Sequence, residues 1–236
     1  QITNPSNNSY VNGIVAISAA ITETNANVTS VKIDATQKAT SLPYNWNTAF
    51  ETEGNHIINV SHTDKAGNVG FNHVNVIVDR TPPTITISSP ESKNYNNLNV
   101  PLRTQIGETA KWIKYSLDDG ATVDLCSDCS IFQYNLVSLS EGSHHVTVYA
   151  SDYANNENSN TVYFGVDRTP PNIGWTYPYN NSYTNDPSKL INAYFDSDYS
   201  GVNASTVIMN VNGINYSTLN PVLTWDGWDL KYNDTV

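Results

Sequence analysis

Charge of either sign is scarce in this chain, and basic charge most of all. Asp, Glu, Lys and Arg make up 14% of the 236 residues, against roughly a quarter in an ordinary soluble domain. The 11 Lys plus Arg face 22 Asp plus Glu, a formal charge of −11. That is the wrong sign for a phosphate backbone or an anionic bilayer, so no nucleic acid partner is expected. No run of about 18 apolar residues exists, which argues against a direct membrane span. Gln1 opens into domain-like sequence without a basic or apolar leader, so any signal or anchor is expected outside this segment. Catalytic signatures are lacking as well. There is no G-x-S-x-G, no H-E-x-x-H and no phosphate-cradling Gly loop, and the carboxylates are scattered over turns rather than set in facing pairs. No enzymatic activity and no required cofactor are expected.

In place of charge the chain carries 33 Asn, 23 Ser and 24 Thr, with 15 Tyr and 5 Trp. This composition, with mostly β-branched apolar residues, excludes a coiled coil and reads as all-β with an uncharged polar surface. The period is two: His144, Val146, Val148 and Ala150 alternate with His145, Thr147, Tyr149 and Ser151, and Ile58/Val60 with Asn59/Ser61. That alternation gives a strand one buried and one wet face. Asn12-Gly13, Asp119-Gly120 and Asn212-Gly213 each read as a type I′ hairpin turn.

Internal repetition organises the chain. Residues 53–85 align without a gap on 141–173, at an offset of 88, with 16 of 33 positions identical. Pro-x4-Tyr recurs at Pro5/Tyr10, Pro90/Tyr95 and Pro178/Tyr183, so three units begin alike. Boundaries fall in the two copies of Val-Asp-Arg-Thr-Pro-Pro, beginning at Val78 and Val166, where paired prolines make a short stiff joint. The domains are therefore 1–80, 81–168 and 169–236. The third stops before any Glu-Gly-x-His segment and is expected to lack its last two strands. Segments 57–62 and 72–78, with their counterparts 146–150 and 161–166, are expected to pair as the last hairpins of the first two units. Units of this size with short strands and Gly/Asn/Asp turns imply β-sandwiches of about seven strands.

VDRTPP at both joints, TDKAGN at 63–68 with its copy SDYANN at 151–156, and WIKYSLDDG at 112–120 together resemble the tandem immunoglobulin-like domains of bacterial and archaeal cell-surface and secreted proteins. LCSDCSIF ahead of EGSHHVTVYASD is similar to an archaeal variety, and SGVNASTVIMNVNG at 200–213 to a third. The resemblance covers essentially the whole chain. It implies tandem immunoglobulin-like β-sandwiches in a rod, the third incomplete, in an extracellular or cell-surface setting. It says little of function, since such modules serve as stalks, adhesins, surface-layer parts and spacers of secreted enzymes.

The residues that could carry chemistry are few. Cys126 and Cys129, in an acidic Asn/Thr-rich β chain, are expected as a small structural disulfide of the second domain; a zinc site wants four ligands, and nothing beside the pair lowers a thiol pKa. N-x-S/T sites stand at Asn7, Asn27, Asn59, Asn180, Asn203, Asn215 and Asn233. His56 and His144 follow Glu-Gly at the start of a core strand and are expected as corner residues bonding back to the backbone. His62 and His73 flank the Asp64 turn as a possible metal pair, without evident further ligands. Trp112, Trp175, Trp225 and Trp228 are either core residues or flat platforms for sugars. Ca²⁺ is the one cofactor the carboxylates would support, at the interdomain joints, with Asp79 near Asp152 and Asp167 near Asp196 and Asp198. Against it stand turn capping by these residues and pairing of Asp79 and Asp167 with Arg80 and Arg168.

The reading is a non-enzymatic, extracellular structural and adhesive region of a larger surface protein, partnered by neighbouring immunoglobulin-like domains or subunits and by a cell-surface glycan or protein. One alternative is a subunit of a filament or surface layer assembled by strand complementation. The other is a carbohydrate-binding accessory region of a secreted hydrolase.

Overall fold

The structure, a computed structural model, describes all residues except 23–25, 184, 186–189, 197–199 and 233–236, and only the backbone of 26–28. It is nearly all β, with two single-turn 3-10 helices at Thr48–Phe50 and Ala204–Thr206 among the described residues. The first repeat holds β1 (Ile2–Asn4), β2 (Ser9–Val11), β3 (Ile14–Ala19), β4 (Ala26–Ile33), β5 (Thr36–Ala39), β6 (Tyr44–Asn47), β7 (Gly54–Asp64) and β8 (Val69–Val78). The second holds β9 (Ile85–Ser89), β10 (Asn94–Tyr95), β11 (Val100–Leu117), β12 (Val123–Leu136), β13 (Gly142–Ser151) and β14 (Glu157–Val166). After the second joint come β15 (Asn172–Tyr177), β16 (Ile191–Asp196), β17 (Ile208–Val211), β18 (Ile214–Ser217), β19 (Leu223–Trp225) and β20 (Asp229–Tyr232).

The chain forms two compact units: Gln1–Glu91 with Pro101–Asn135 and His145–Tyr163, and Ser92–Val100 with Leu136–His144 and Phe164–Val236. In the first, the first repeat is a sandwich of sheets β1-β3-β6 and β2-β8-β7-β4-β5. Ile2, Ile17 and Trp46 from one sheet meet Ile33, Ile58 and Val76 from the other in a single core. The alternation read from the sequence is the cause, since Ile58 and Val60 are buried on β7 between the more open Ile57, Asn59 and Ser61. The strand expected over 57–62 runs from Gly54 to Asp64 and pairs antiparallel with β8. In the same unit β11 pairs antiparallel with β13, from Trp112↔Ser151 to Leu117↔Val146. Its earlier half pairs with β9.

In the second unit β10 pairs parallel with β14 at Gly165 and Val166. The sheet β15-β16-β20-β19 and the hairpin β17-β18 share a core that includes Ala193, Met209, Leu223 and Leu230.

Two of the three expected turns are corrected. Only Asn212-Gly213, with φ of 52° and 84°, is the expected hairpin, joining β17 to β18. Asn12-Gly13 instead carries the chain from one sheet of the first sandwich to the other, because β2 pairs β8 while β3 pairs β1 and β6. Between β11 and β12 the left-handed residues are Asp118 and Asp119, one position earlier than expected; Asp118 Oδ1 accepts from His145 N at 2.8 Å. Asp can hold αL there because its side chain bonds nearby backbone, a capacity the Asp-Gly rule underweights. The shared Pro-x4-Tyr is likewise not equivalent throughout. The bonds before Pro5, Pro90 and Pro178 are all cis, yet Tyr95 pairs with Val166 whereas Tyr10 pairs one residue earlier, with Ile77, and points outward.

Candidate functional site

The first joint is built by hydrogen bonds that the repeat sequence supplies. Asp79 N donates to Val11 O at 3.1 Å, closing β8, and Asp79 Oδ1 then accepts from Thr81 N at 3.1 Å. Asp167 makes the same turn with Thr169 N at 3.0 Å. Thr81 Oγ1 donates to Glu53, and Thr169 Oγ1 to Glu141, so the Glu-Gly and Asp-Arg-Thr motifs are two halves of one lock. Arg80 does not pair with Asp79, as one reading of the sequence held. Its guanidinium donates to Ala49 O and Glu51 O, and its backbone N–H to Glu53.

Past Arg80 the linker cannot complete a ladder, because Pro82 and Pro83 lack N–H groups. Side-chain amides satisfy it instead. Asn156, Asn158 and Asn160, spaced by two, donate from Nδ2 to Asp79 O (3.0 Å), Pro83 O (2.9 Å) and Ile85 O (3.0 Å). Asn156 is held in turn by Asp152, which accepts its N–H at 2.8 Å and its Nδ2 at 2.7 Å and is 1% exposed. Asn12 Nδ2 donates to Asn156 Oδ1. Asp64 and Asn68 make the same capped turn in the first repeat.

Against this clamp lies a carboxylate group. Asp79, Glu108 and Asp152 each offer an oxygen within 4.8 Å of the others. Burial first, then the charges of Asp152 and Asp79, hold the Glu108 carboxyl above its usual range. Among the described residues none of the three forms an ion pair with a cationic side chain. The sequence reading brought Asp79 and Asp152 together but missed Glu108, which reaches the joint through the β9–β11 register, where Gly107 N donates to Thr84 O. The donor set suits a hard divalent cation and is short of the six to eight oxygens of Ca²⁺, so carbonyls or water would complete it. At the second joint Asp167 accepts from Thr169 N and from Ser200 N (2.9 Å), Asp196 is exposed, and Asp198 lies outside the described residues.

Cys126 and Cys129 form a disulfide within β12, with Asp128 between them at φ 55°. Tyr153 donates its hydroxyl to Asp128 while its ring stacks 6.0 Å from Tyr10, so the disulfide loop bears on the joint through the turn that carries Asp152. That bond to Asp128 holds the Tyr153 phenol above its usual pKa. His56 and His144 are buried and bond from Nε2 to the carbonyls four residues back, Thr52 O at 2.8 Å and Ser140 O at 2.9 Å. His62 and His73 are not a metal pair. His62 aligns on β7 with the inward Ile58 and Val60, whereas His73 pairs with the outward Asn59.

Of the N-x-S/T asparagines, Asn7, Asn180, Asn203 and Asn215 are exposed and Asn59 is half-buried; the Asn27 side chain and Asn233 lie outside the described residues. Trp46, passed over in the sequence, is the core tryptophan and donates to Glu51. Lys38 bonds the same carboxylate, and these two donors hold Glu51 below its usual range. Trp112 is half-buried under Lys114, and Trp225 packs on the third core. Trp175 (44% exposed) and Trp228 (50%) instead flank Tyr194 in a row of near-parallel rings, with centroids 5.9 and 6.5 Å apart.

Residues 129–191, across the second joint, match the family described as bacterial Ig-like domain (group 3). Over that segment the chain is similar to immunoglobulin-like domains of this bacterial kind. It is 27% identical over 180 residues, 65% of its length, to Halomucin of Haloquadratum walsbyi (strain DSM 16790 / HBSQ001), of which it spans 2%. Among solved structures it is similar to the fibronectin(III)-like modules of Clostridium thermocellum CbhA, with TM-score 0.48 and 15% identity over 70% of this chain and 93% of that one. It is also similar to three N-terminal domains of the Highly Immunogenic Outer Capsid protein of bacteriophage RB49, with TM-score 0.46 and 10% identity over 97% and 84%. No helix among the described residues is long and apolar enough to cross a membrane.

Proposed function

We propose that this chain is a non-enzymatic, extracellular spacing region of a larger surface protein, with domains at 1–80, 81–168 and 169–236 whose joints are fixed by hydrogen bonds, the first of them stiffened by Ca²⁺. The observation that carries the reading is the lock of Asp79, Thr81 and Glu53 with the amides of Asn156, Asn158 and Asn160. A joint that served only to connect would leave its linker carbonyls to water. The disulfide and the exposed N-x-S/T sites support an oxidising, extracellular address. The grouping of Asp79, Glu108 and Asp152, with no cationic side chain paired to them among the described residues, supports Ca²⁺ between them. Labelling of intact cells with antibody against the chain, before and after protease shaving, tests the address; signal only after lysis refutes it. Calorimetry tests Ca²⁺, because an ion bound only by the folded joint raises the melting temperature with its concentration. Equal melts in millimolar Ca²⁺ and in excess chelator refute the ion.

A second reading, carbohydrate binding, is favoured by the exposed row Trp175, Tyr194 and Trp228, since flat rings cover the C–H faces of sugars. Titration of a glycan array by tryptophan fluorescence, with Trp175→Ala and Trp228→Ala as controls, separates this from the purely spacing role.

A further inference from the structure

The outer face of the sheet β15-β16-β20-β19 carries a surface that the spacing role does not use. Ala193, Leu230 and Tyr232 turn inward to the core, so Asn192 and Tyr194 on β16 and Asp229 and Lys231 on β20 face out. In register, Trp175 pairs with Tyr194 and Tyr194 with Asp229; on the next outward rung Tyr177 pairs with Asn192 and Asn192 with Lys231. A row of rings therefore runs across the strands beside a row of polar side chains.

Two local devices hold the rings. A bulge between Ile173 and Trp175 sets Gly174 and Trp175 together opposite Tyr194. A Cβ on Gly174 would stand 2.9 Å from Tyr194 Cδ1 and 3.4 Å from its Cε1, so the Tyr194 ring lies over the bare glycine backbone instead of standing clear of the sheet. At the other end Asp226 Oδ1 accepts from Trp228 N at 3.1 Å and from Asp229 N at 2.7 Å, and Trp228 O accepts from Phe195 N at 2.8 Å, which fixes the turn that carries Trp228. The Tyr194 ring is 3° from parallel with Trp175 and 15° from parallel with Trp228. That makes a strip, not the cage of rings set around one point that encloses an ammonium group.

The unpartnered polar atoms beside the strip are acceptors. Asn192 Oδ1 and Asp229 Oδ1 have no hydrogen-bond partner among the described residues, so either side chain can turn that oxygen to a ligand hydroxyl without breaking a bond there. Asp196 stands beside the strip too, its Cβ 3.9 Å from the place a Cβ on Gly174 would take. Lys231 Nζ is shared between Asp226 Oδ2 at 3.7 Å and Asp229 Oδ2 at 3.9 Å. Asp196, Asp226 and Asp229 therefore leave this surface negative on balance, like the chain as a whole, whose formal charge is −11. We infer that the strip takes a neutral, hydroxyl-rich glycan and rejects one that bears carboxylates. The inference rests on the carbohydrate reading above and adds the class of sugar. Ring faces cover C–H surface, the unpartnered oxygens take hydroxyl donors, and the carboxylates around them repel an anion.

The test is titration of the full chain with neutral trisaccharides of glucose, mannose and galactose, each beside the uronic acid trisaccharide of the same linkage, read by NMR at the indole N–H groups of Trp175 and Trp228. The expected result is that a neutral sugar shifts both indoles and that its uronate partner binds at least about tenfold more weakly at low salt. Added salt and Asp229→Asn should each narrow that gap, because both weaken the repulsion. Gly174→Ala keeps every ring but displaces Tyr194, and should weaken the neutral sugar by about fivefold; an unchanged affinity overturns the strip as the binding surface. The comparison of neutral and acidic sugars on the parent chain stands whether or not that variant folds. A uronate that binds as tightly as its neutral partner overturns the neutral class and leaves the carbohydrate reading standing. Indoles that respond to none of the sugars, or to tetramethylammonium alone, remove both.

Discussion

Asn156→Ala tests the clamp where the geometry makes the largest claim. The substitution removes a bond to the Asp79 carbonyl at 3.0 Å and one to the Asp152 carboxylate at 2.7 Å, and takes away the acceptor of Asn12. A neutral bond contributes about 1 kcal/mol and one to a charged group about 1.5–3 kcal/mol, and Asp152, at 1% exposure, cannot recover its lost donor from water without opening the joint. The expected cost is about 3 kcal/mol. For a domain of this size that lowers the melting temperature by roughly 12–24 °C. Asn158→Ala removes one bond, to Pro83 O, and should cost about 1 kcal/mol. Differential scanning calorimetry of the full chain reads both. An Asn156→Ala melt within a few degrees of the parent would refute the argument, because the amide would then be decorating a joint held by something else.

Glu108→Gln should raise stability at neutral pH and weaken any response to Ca²⁺. The carboxyl is held above its ordinary pKa in the folded state, so its favourable contribution is complete below the unfolded value and is lost as pH rises through the raised one. Melts of the parent should therefore fall relative to Glu108→Gln as pH climbs from the acid side of the glutamate range towards neutrality, and parallel pH curves would contradict this. Replacing Cys126 and Cys129 together by Ser should cost at most about 2 kcal/mol, as the loop is short. It should also release Asp128 from Tyr153, seen as a Tyr153 phenol titrating lower by NMR.

The fold was legible because burial dictates alternation, and alternation is visible in Ile58, Val60, Val74 and Val76 without knowledge of any partner strand. The turn that positions Asp152 was legible for a similar reason, since Asp-x-x-x-Asn closes on itself. What failed needed register. Glu108 looks like any strand glutamate until Gly107 is known to face Thr84. His62 and His73 looked close across a hairpin, yet pairing of His73 with Asn59 puts them on opposite faces. Arg80 beside Asp79 in sequence suggested an ion pair, but successive side chains of an extended chain point apart, and Arg80 reaches back to the carbonyls of Ala49 and Glu51.

Forced unfolding of the tethered full chain distinguishes the separate sandwiches at fixed joints proposed above from a single cooperative body. Units of 80 and 88 residues should each release about 250–300 Å of contour in its own event, at up to about 3.6 Å per residue. Asn156→Ala should lower the force of the unit carrying the clamp. One event releasing the whole chain, or a continuous extension without separate events, would contradict the account.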